Sequence, residues 1–237
     1  MLNIYVASIQ ENKTKYLITT GLAITMKCLG YSVGVYKPIQ MGCEKVNDKV
    51  FSKELNFLNN ADSSVAICNT YFYGSYPNPL IAGVKEGNII DRKIINNEFN
   101  NFKNLYECNI TEGSNGFGTP LNVDYTEDDM MTDFNIPTLF IVSPKETSLN
   151  NVIMSLNHAK TLNLDIRGVI FNDYPDTVVD ENIKFMPRFI EEYTDAKVLG
   201  VLPAIRENIL PQELIDFVIN GIDLEAVFNV KIEKLQI

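Results

Sequence analysis

The chain has 237 residues, 46% hydrophobic and 21% charged, with a formal net charge of −10. Such a chain fits one soluble α/β domain with a proper core, and its acidic balance excludes non-specific nucleic-acid binding, which needs a basic surface. No apolar run nears the roughly 18 residues of a membrane span, and the amino-terminal one is too short for a signal peptide, so no membrane partner and a cytoplasmic location are expected.

The four cysteines, Cys28, Cys43, Cys68 and Cys108, have no paired C-x-x-C spacing. A metal cluster or disulfide framework is therefore not expected, and a reducing compartment fits. Leu2–Ser8 reads as the first strand, followed by the polar stretch "ASIQENKTKYL" and a helix that places Leu17, Gly21, Ile24 and Cys28 on one face. Strand, lysine-bearing loop, then helix is the arrangement that holds a triphosphate. Residues 7–17, however, contain no glycine. Lys13 and Lys15 are both candidates for the phosphate lysine.

Val33–Pro38 is the second strand candidate, with Lys37 at its carboxyl end, where a side chain points at the ligand crevice of a parallel sheet. A solvated strand-end lysine would look the same. Residues 71–90, rich in aromatics and prolines, read as a structured excursion and not as a linker. The strand Glu107–Thr111 runs into "EGSNGFGTPL". There Glu112 can hold Mg²⁺ and the glycines let backbone approach phosphate, although a plain glycine-rich turn fits equally.

Thr138–Ser143 is the next strand. The helix after it places Leu149, Val152, Ile153, Leu156 and Ala159 on one face and carries the single histidine, His158, which reads as a partly exposed helix residue, since a catalytic histidine needs an orienting partner. Arg167–Asn172 ends at Asn172, whose paired donor and acceptor can read adenine, or which simply makes a turn with Asp173. Lys197–Pro203 is the last strand. Short, almost wholly apolar strands alternating with helices predict a mostly parallel sheet with helices on both faces, in a single domain spanning residues 1–237.

Together these stretches resemble the dethiobiotin synthetase family of P-loop enzymes of biotin synthesis. "YSVGVYKPIQMG" is similar to that family's strand with Lys-Pro-Val-x-Ser/Thr-Gly, and "TYFYGSYPNPLIAGVKEGNIID" to its Pro-His helix, with Leu80 in place of histidine. "EGSNGFGTPL" resembles its Glu-Gly-Ala-Gly-Gly-x-x-x-Pro, "SPKETSLNNVIMSLNHAK" its Lys-x-Gly-x-x-Asn-His helix start, and "LGVLPAIRENI" its Gly-x-x-Pro adenine loop. The scaffold is shared with the N-terminal domains of phosphotransacetylases.

The resemblance implies a P-loop NTPase-like fold and ATP- and Mg²⁺-dependent carboxylation of the diamine 7,8-diaminononanoate by CO₂, closing a cyclic urea. Carried over by position, Lys37 and Lys15 would be catalytic cations, and Glu54 and Glu112 would hold Mg²⁺. Lys13, Thr14, Gly113, Asn115, Asn172, Asp173 and Glu207 would face the nucleotide. Met41, Thr147 and Asn150 would face the substrate, with Asn150 supplied across a homodimer. In one register of the first loop, Asn12-Lys13-Thr14 replaces Gly-Lys-Thr. In the favoured one, Lys15 is the phosphate lysine, Thr14 and Ser8 replace glycines, and Tyr16 replaces the Mg²⁺-binding threonine. An active but altered enzyme and a catalytically silent, ligand-binding paralogue both follow from this pattern.

Overall fold

The computed structural model describes residues 1–47, 49–175, 177, 178 and 180–232. The last residues of the single-domain reading, 233–237, lie outside them. In chain order the elements are β1 (Leu2–Ser8), α1 (Lys15–Cys28), β2 (Val33–Gln40), β3 (Glu44–Val46), β4 (Lys49–Phe51), α2 (Lys53–Ala61), β5 (Ala66–Phe72), α3 (Pro79–Glu86), α4 (Arg92–Phe102) and β6 (Cys108–Glu112). They continue with β7 (Pro120–Asn122), β8 (Tyr125–Thr126), α5 (Glu127–Phe134), β9 (Thr138–Val142), α6 (Leu149–Thr161), β10 (Ile166–Tyr174), α7 (Glu181–Thr194), β11 (Val198–Pro203), α8 (Pro211–Gly221) and α9 (Leu224–Phe228).

Seven strands form one sheet in the order β11-β10-β9-β1-β6-β2-β5, and every pairing in it is parallel. Two small antiparallel ribbons, β3–β4 and β7–β8, decorate its rim. β1 is the central strand. Its side chains alternate between two cores: Ile4 and Val6 pack under α1, α8 and α9, while Tyr5 and Ala7 pack under the helices of the opposite face. Burial on both faces explains why the strands read as continuous apolar runs. Helix α1 is buried along almost its whole length and crosses α8 closely at Gly21, where a Cβ would lie 2.7 Å from Val218 Cγ2.

Six of the seven strands coincide with the expected ones to within a few residues. The missed strand is β5, "AICNTYF", which pairs with β2 at the sheet edge. Most of its residues are only partly buried, so its pattern lacks the apolar run that marks the others. The expected apolar face of α6 goes to the chain's own core, since Val152, Leu156 and Ala159 are buried beneath it. Among the exposed large apolar residues, α6 contributes Met154.

Candidate functional site

Ligands of a parallel sheet gather at the carboxyl ends of its strands, and there β1, β6 and β2 deliver Ser8, Glu112 and Lys37. Lys37 is buried inside β2, which runs on to Gln40 and not only to Pro38 as expected, and it stands level with Glu112 at the end of β6. Its ammonium lies 2.8 Å from Glu112 Oε1 and 2.5 Å from Glu54 Oε2. Glu54 comes from the first turn of α2, whose start is fixed by Ser52 accepting from the Leu55 N–H. Gln40 Nε2 also donates to Glu54 Oε2 at 3.0 Å. Burial opposes the charge on Lys37, but Glu112 and Glu54 outweigh it and hold its pKa above the ordinary lysine value. Burial likewise pushes Glu54 up, and Lys37 overrides this to hold it below the ordinary carboxylate range.

Lys15 opens α1 and turns inward. Its buried ammonium donates to the carbonyls of Gly113 (2.7 Å) and Ser114 (2.8 Å), with Ser8 Oγ at 3.5 Å. Lys13 is exposed at the rim. Both lysines line one pocket of about 150 Å³, with Tyr16, Lys37, Met41, Glu54, Glu112, Gly113 and Asn115 among its other walls. That volume is below the roughly 300–1,000 Å³ of a drug-sized ligand site.

The loop between β1 and α1 is built without left-handed residues: no residue from 9 to 14 has a positive φ. Asn12 and Asn172 instead form a reciprocal amide pair, Asn12 Nδ2 to Asn172 Oδ1 at 3.0 Å and Asn172 Nδ2 to Asn12 Oδ1 at 3.1 Å. Thr14, at the position before α1, does not cap the helix through its side chain. Its hydroxyl donates to Asp173 Oδ2 at 2.6 Å and accepts from Asn172 Nδ2 at 2.7 Å. Asp173 supports this in a left-handed conformation at φ 53°, which Asp tolerates better than most residues. The donor and acceptor expected to read adenine are thus both engaged by the loop. Asn12, absent from the expected site, is their partner.

The glycine-rich turn also packs inward. Gly113 N donates to Val6 O and Phe117 N to Ser8 O, and a Cβ on Gly116 would lie 2.6 Å from Gln10 Cα. The closeness allowed by glycine here serves contact with the neighbouring loop. Glu207 is exposed and paired with Lys53 at 2.5 Å, tying the segment after β11 to the start of α2. Tyr16 packs edge-on against Phe57, and burial, helped by Glu207 and Glu54, pushes its phenol up to about 12. It is a neutral hydroxyl at physiological pH.

Thr147 and Asn150 do not reach this crevice within one chain. They line a second, wider cavity of about 680 Å³ between the amino ends of α6 and α7. Among the described residues no cluster of three or more His, Cys, Asp or Glu side chains is arranged to hold a metal ion. The donor set at Lys37 nonetheless fits magnesium, which takes one or two carboxylates and completes its shell with water and substrate phosphate. Glu112 Oε2 and Gln40 Oε1 are buried without a hydrogen-bond partner, and Glu54 stands beside them. Among the described residues no helix is long and apolar enough to cross a membrane.

A seven-stranded parallel sheet with a lysine-bearing loop between its central strand and first helix has the P-loop NTPase architecture. The septum site-determining protein MinD complexed with Mg-ADP from Pyrococcus horikoshii OT3 shares that fold, with a TM-score of 0.55 and 13% identity over 98% of this chain and 93% of that one. A family model described as an AAA domain matches residues 3–211, and the chain belongs to that family.

Its relatives there are dethiobiotin synthetases, and the chain is a diverged relative of them. ATP-dependent dethiobiotin synthetase BioD of Bacillus subtilis (strain 168) is 25% identical over 229 residues, covering 97% of this chain and 98% of the relative. The enzyme of the same name from Nitrosopumilus maritimus (strain SCM1) is 29% identical over 212 residues, covering 87% and 91%.

Proposed function

We propose that the protein carries out an ATP-dependent, ring-forming carboxylation of the dethiobiotin synthetase type, with a nucleotide site held partly closed by its own side chains. The observation that supports this is the convergence of Lys15, Lys37, Glu54 and Glu112 on one crevice at the carboxyl ends of β1, β2 and β6. The reaction needs no protein nucleophile. One amine of 7,8-diaminononanoate attacks CO₂ and loses a proton to give a carbamate. A carbamate oxygen then attacks the γ-phosphorus of ATP and ADP leaves. Finally the second amine attacks the carbonyl carbon, loses its proton and expels phosphate, closing the cyclic urea.

Such chemistry depends on positioned positive charge. Lys37 would face the carbamate and the transferred phosphoryl group, and Lys15 the phosphate chain. Glu54 and Glu112 would hold Mg²⁺, which when bound neutralises phosphate charge. The test is incubation with 7,8-diaminononanoate, bicarbonate and Mg-ATP, with the cyclic urea followed by mass spectrometry against ADP release. Product formed in step with ADP is expected. Absence of product under conditions where the Bacillus subtilis relative makes it would end this reading.

A second reading, a catalytically silent paralogue, is favoured by the Asn12–Asn172 amide pair and by the packing of Gly116 on Gln10. The first engages Asn172, which the resemblance assigns to the nucleotide, and the second uses glycine closeness for contact within the protein. Titration calorimetry with Mg-ATP, with and without the diamine, separates the two.

The protein would act as a two-fold dimer, in which the uncovered amino end of α6, with Asn150 and Thr147, offers N–H groups and a positive dipole end to the substrate carboxylate of the other protomer. Light scattering at micromolar concentration should give twice the chain mass. A strictly monomeric mass would remove Asn150 and Thr147 from the site.

A further inference from the structure

A second buried carboxylate lies beneath the crevice, outside every residue so far given a role. Glu127, the first residue of α5, is 1% exposed. Tyr5, fully buried in the middle of β1, donates to its Oε1 at 2.5 Å. Ser114 reaches it twice, through its N–H to Oε1 at 3.0 Å and its hydroxyl to Oε2 at 2.7 Å. The adjacent Gly113 lies so close that a Cβ there would sit 2.1 Å from Glu127 Oε1. The Gly113–Ser114 turn is therefore clamped on its inner side by a carboxylate, while its two carbonyls on the outer side receive the Lys15 ammonium.

We propose that Glu127, held by Tyr5, is a positioning residue that fixes the Gly113–Ser114 turn and through it the ammonium of Lys15. Resting on the carboxylating reading above, this assigns the Tyr5–Glu127–Ser114 chain the task that loop glycines and a helix cap leave undone in this protein. A charge-assisted carboxylate bond to an N–H and two hydroxyls is stronger than its neutral counterpart and orients what it holds. It is sealed from water, where such networks rigidify their members.

Glu127 also contributes negative charge near Lys15. Burial lowers the Lys15 pKa, Glu112, Glu127 and Glu54 oppose that lowering, and Lys37 reinforces it. A purely structural Glu127, serving only the start of α5, would not need contact with Ser114. The capping of that helix is already supplied by the reciprocal Thr126–Asp129 box.

The test uses protein whose lysines carry the heavy nitrogen isotope, with the Lys15 ammonium assigned by its loss in Lys15→Arg. An ammonium held by two carbonyls exchanges its protons slowly and gives a resolved cross-peak. In Glu127→Gln and in Tyr5→Phe that signal should broaden or vanish while the Lys37 signal stays. kcat should fall ~10- to 100-fold with little change in KM, the size expected for a small misplacement of a catalytic group. Glu127→Met, which fills the space without charge, should behave like Glu127→Gln. An unchanged Lys15 signal in folded Glu127→Gln and Tyr5→Phe proteins would overturn the proposal. So would a wild type that shows the Lys37 ammonium but no Lys15 ammonium. The spectroscopic arm needs no turnover, so failure of the carboxylating reading leaves it decisive.

Discussion

Lys37→Met is expected to abolish turnover and to destabilise the fold by about 3–5 kcal/mol, because removing one partner of a buried ion pair strands the other. The stranded partner is Glu112, whose side chain is 3% exposed and lies 2.8 Å from Lys37 Nζ. Glu54 suffers less, being 35% exposed and so better solvated. Chemical denaturation measures the loss and an ADP-release assay the activity. A Lys37→Met protein of wild-type stability would show that Glu112 has another counter-charge.

The same cluster sets a pH dependence whose sign follows from the two shifts. Glu54 is held below its ordinary value, so its stabilisation is present above the unfolded carboxylate pKa and is lost as pH falls through the lower folded one. Lys37 is held above its ordinary value, so its stabilisation is complete below the unfolded lysine pKa and is lost as pH rises through the higher folded one. With reference values of about 4.3 for Glu and about 10.4 for Lys, the pair stabilises fully across the neutral range. Lys37→Met should flatten the acid limb of the stability profile, and Glu112→Gln with Lys37 intact should shift it less.

The parts of this architecture that were legible in the sequence are those with a local cause. β1, β2, β6, β9 and β10 are apolar because helices cover both their faces, and β11, although an edge strand, keeps an apolar sequence. Glu112 stands at a strand end, level with Lys37 on the neighbouring β2, where a parallel sheet gathers its ligands. β5 escaped because an edge strand can keep polar and half-exposed residues such as Asn69 and Thr70. Glu54 was reachable only through the resemblance, since a glutamate in the first turn of a helix is usually a favourable dipole partner and no more.

Tyr5–Glu127 and Asn12–Asn172 were not legible at all. Their partners lie 122 and 160 positions apart along the chain, so neither period nor spacing relates them. Glu127 in particular reads as the acidic first turn of α5, beside Asp128 and Asp129. Its burial follows from the approach of the Gly113 turn. In the same way Asn172 carried the right chemistry for a purine, but the loop that engages it lies two strands away across the sheet, beyond β9.

Wild-type protein is expected to bind Mg-ATP weakly, well above micromolar Kd, and Thr14→Gly combined with Tyr16→Thr is expected to tighten it by up to two to four decades. A phosphate site at a helix amino end works by converging backbone N–H groups, and convergence usually draws on residues with positive φ, which glycine adopts at little cost. Here residues 9–14 adopt no such conformation. The Thr14 N–H points to Asn12 Oδ1 at 3.1 Å, within the loop. Forcing the loop into a phosphate-binding shape would cost about 1–2 kcal/mol for each non-glycine residue turned left-handed. It would also break the Thr14–Asp173 and Asn172 contacts, and Tyr16 places a buried ring where a small hydroxyl would meet the metal. Two or three such losses sum to roughly 3–6 kcal/mol, which is the two to four decades in Kd. Thr14→Gly removes the hydroxyl that anchors Asp173 and frees one donor of Asn172, and Tyr16→Thr restores a compact hydroxyl beside Glu54 and Glu112. Calorimetric titration of both proteins with Mg-ATP decides the matter. Micromolar binding by the wild type would mean that the Asn12–Asn172 pair opens at little cost, and the altered loop would then be a gate on an active site, which strengthens the enzyme reading over the silent one.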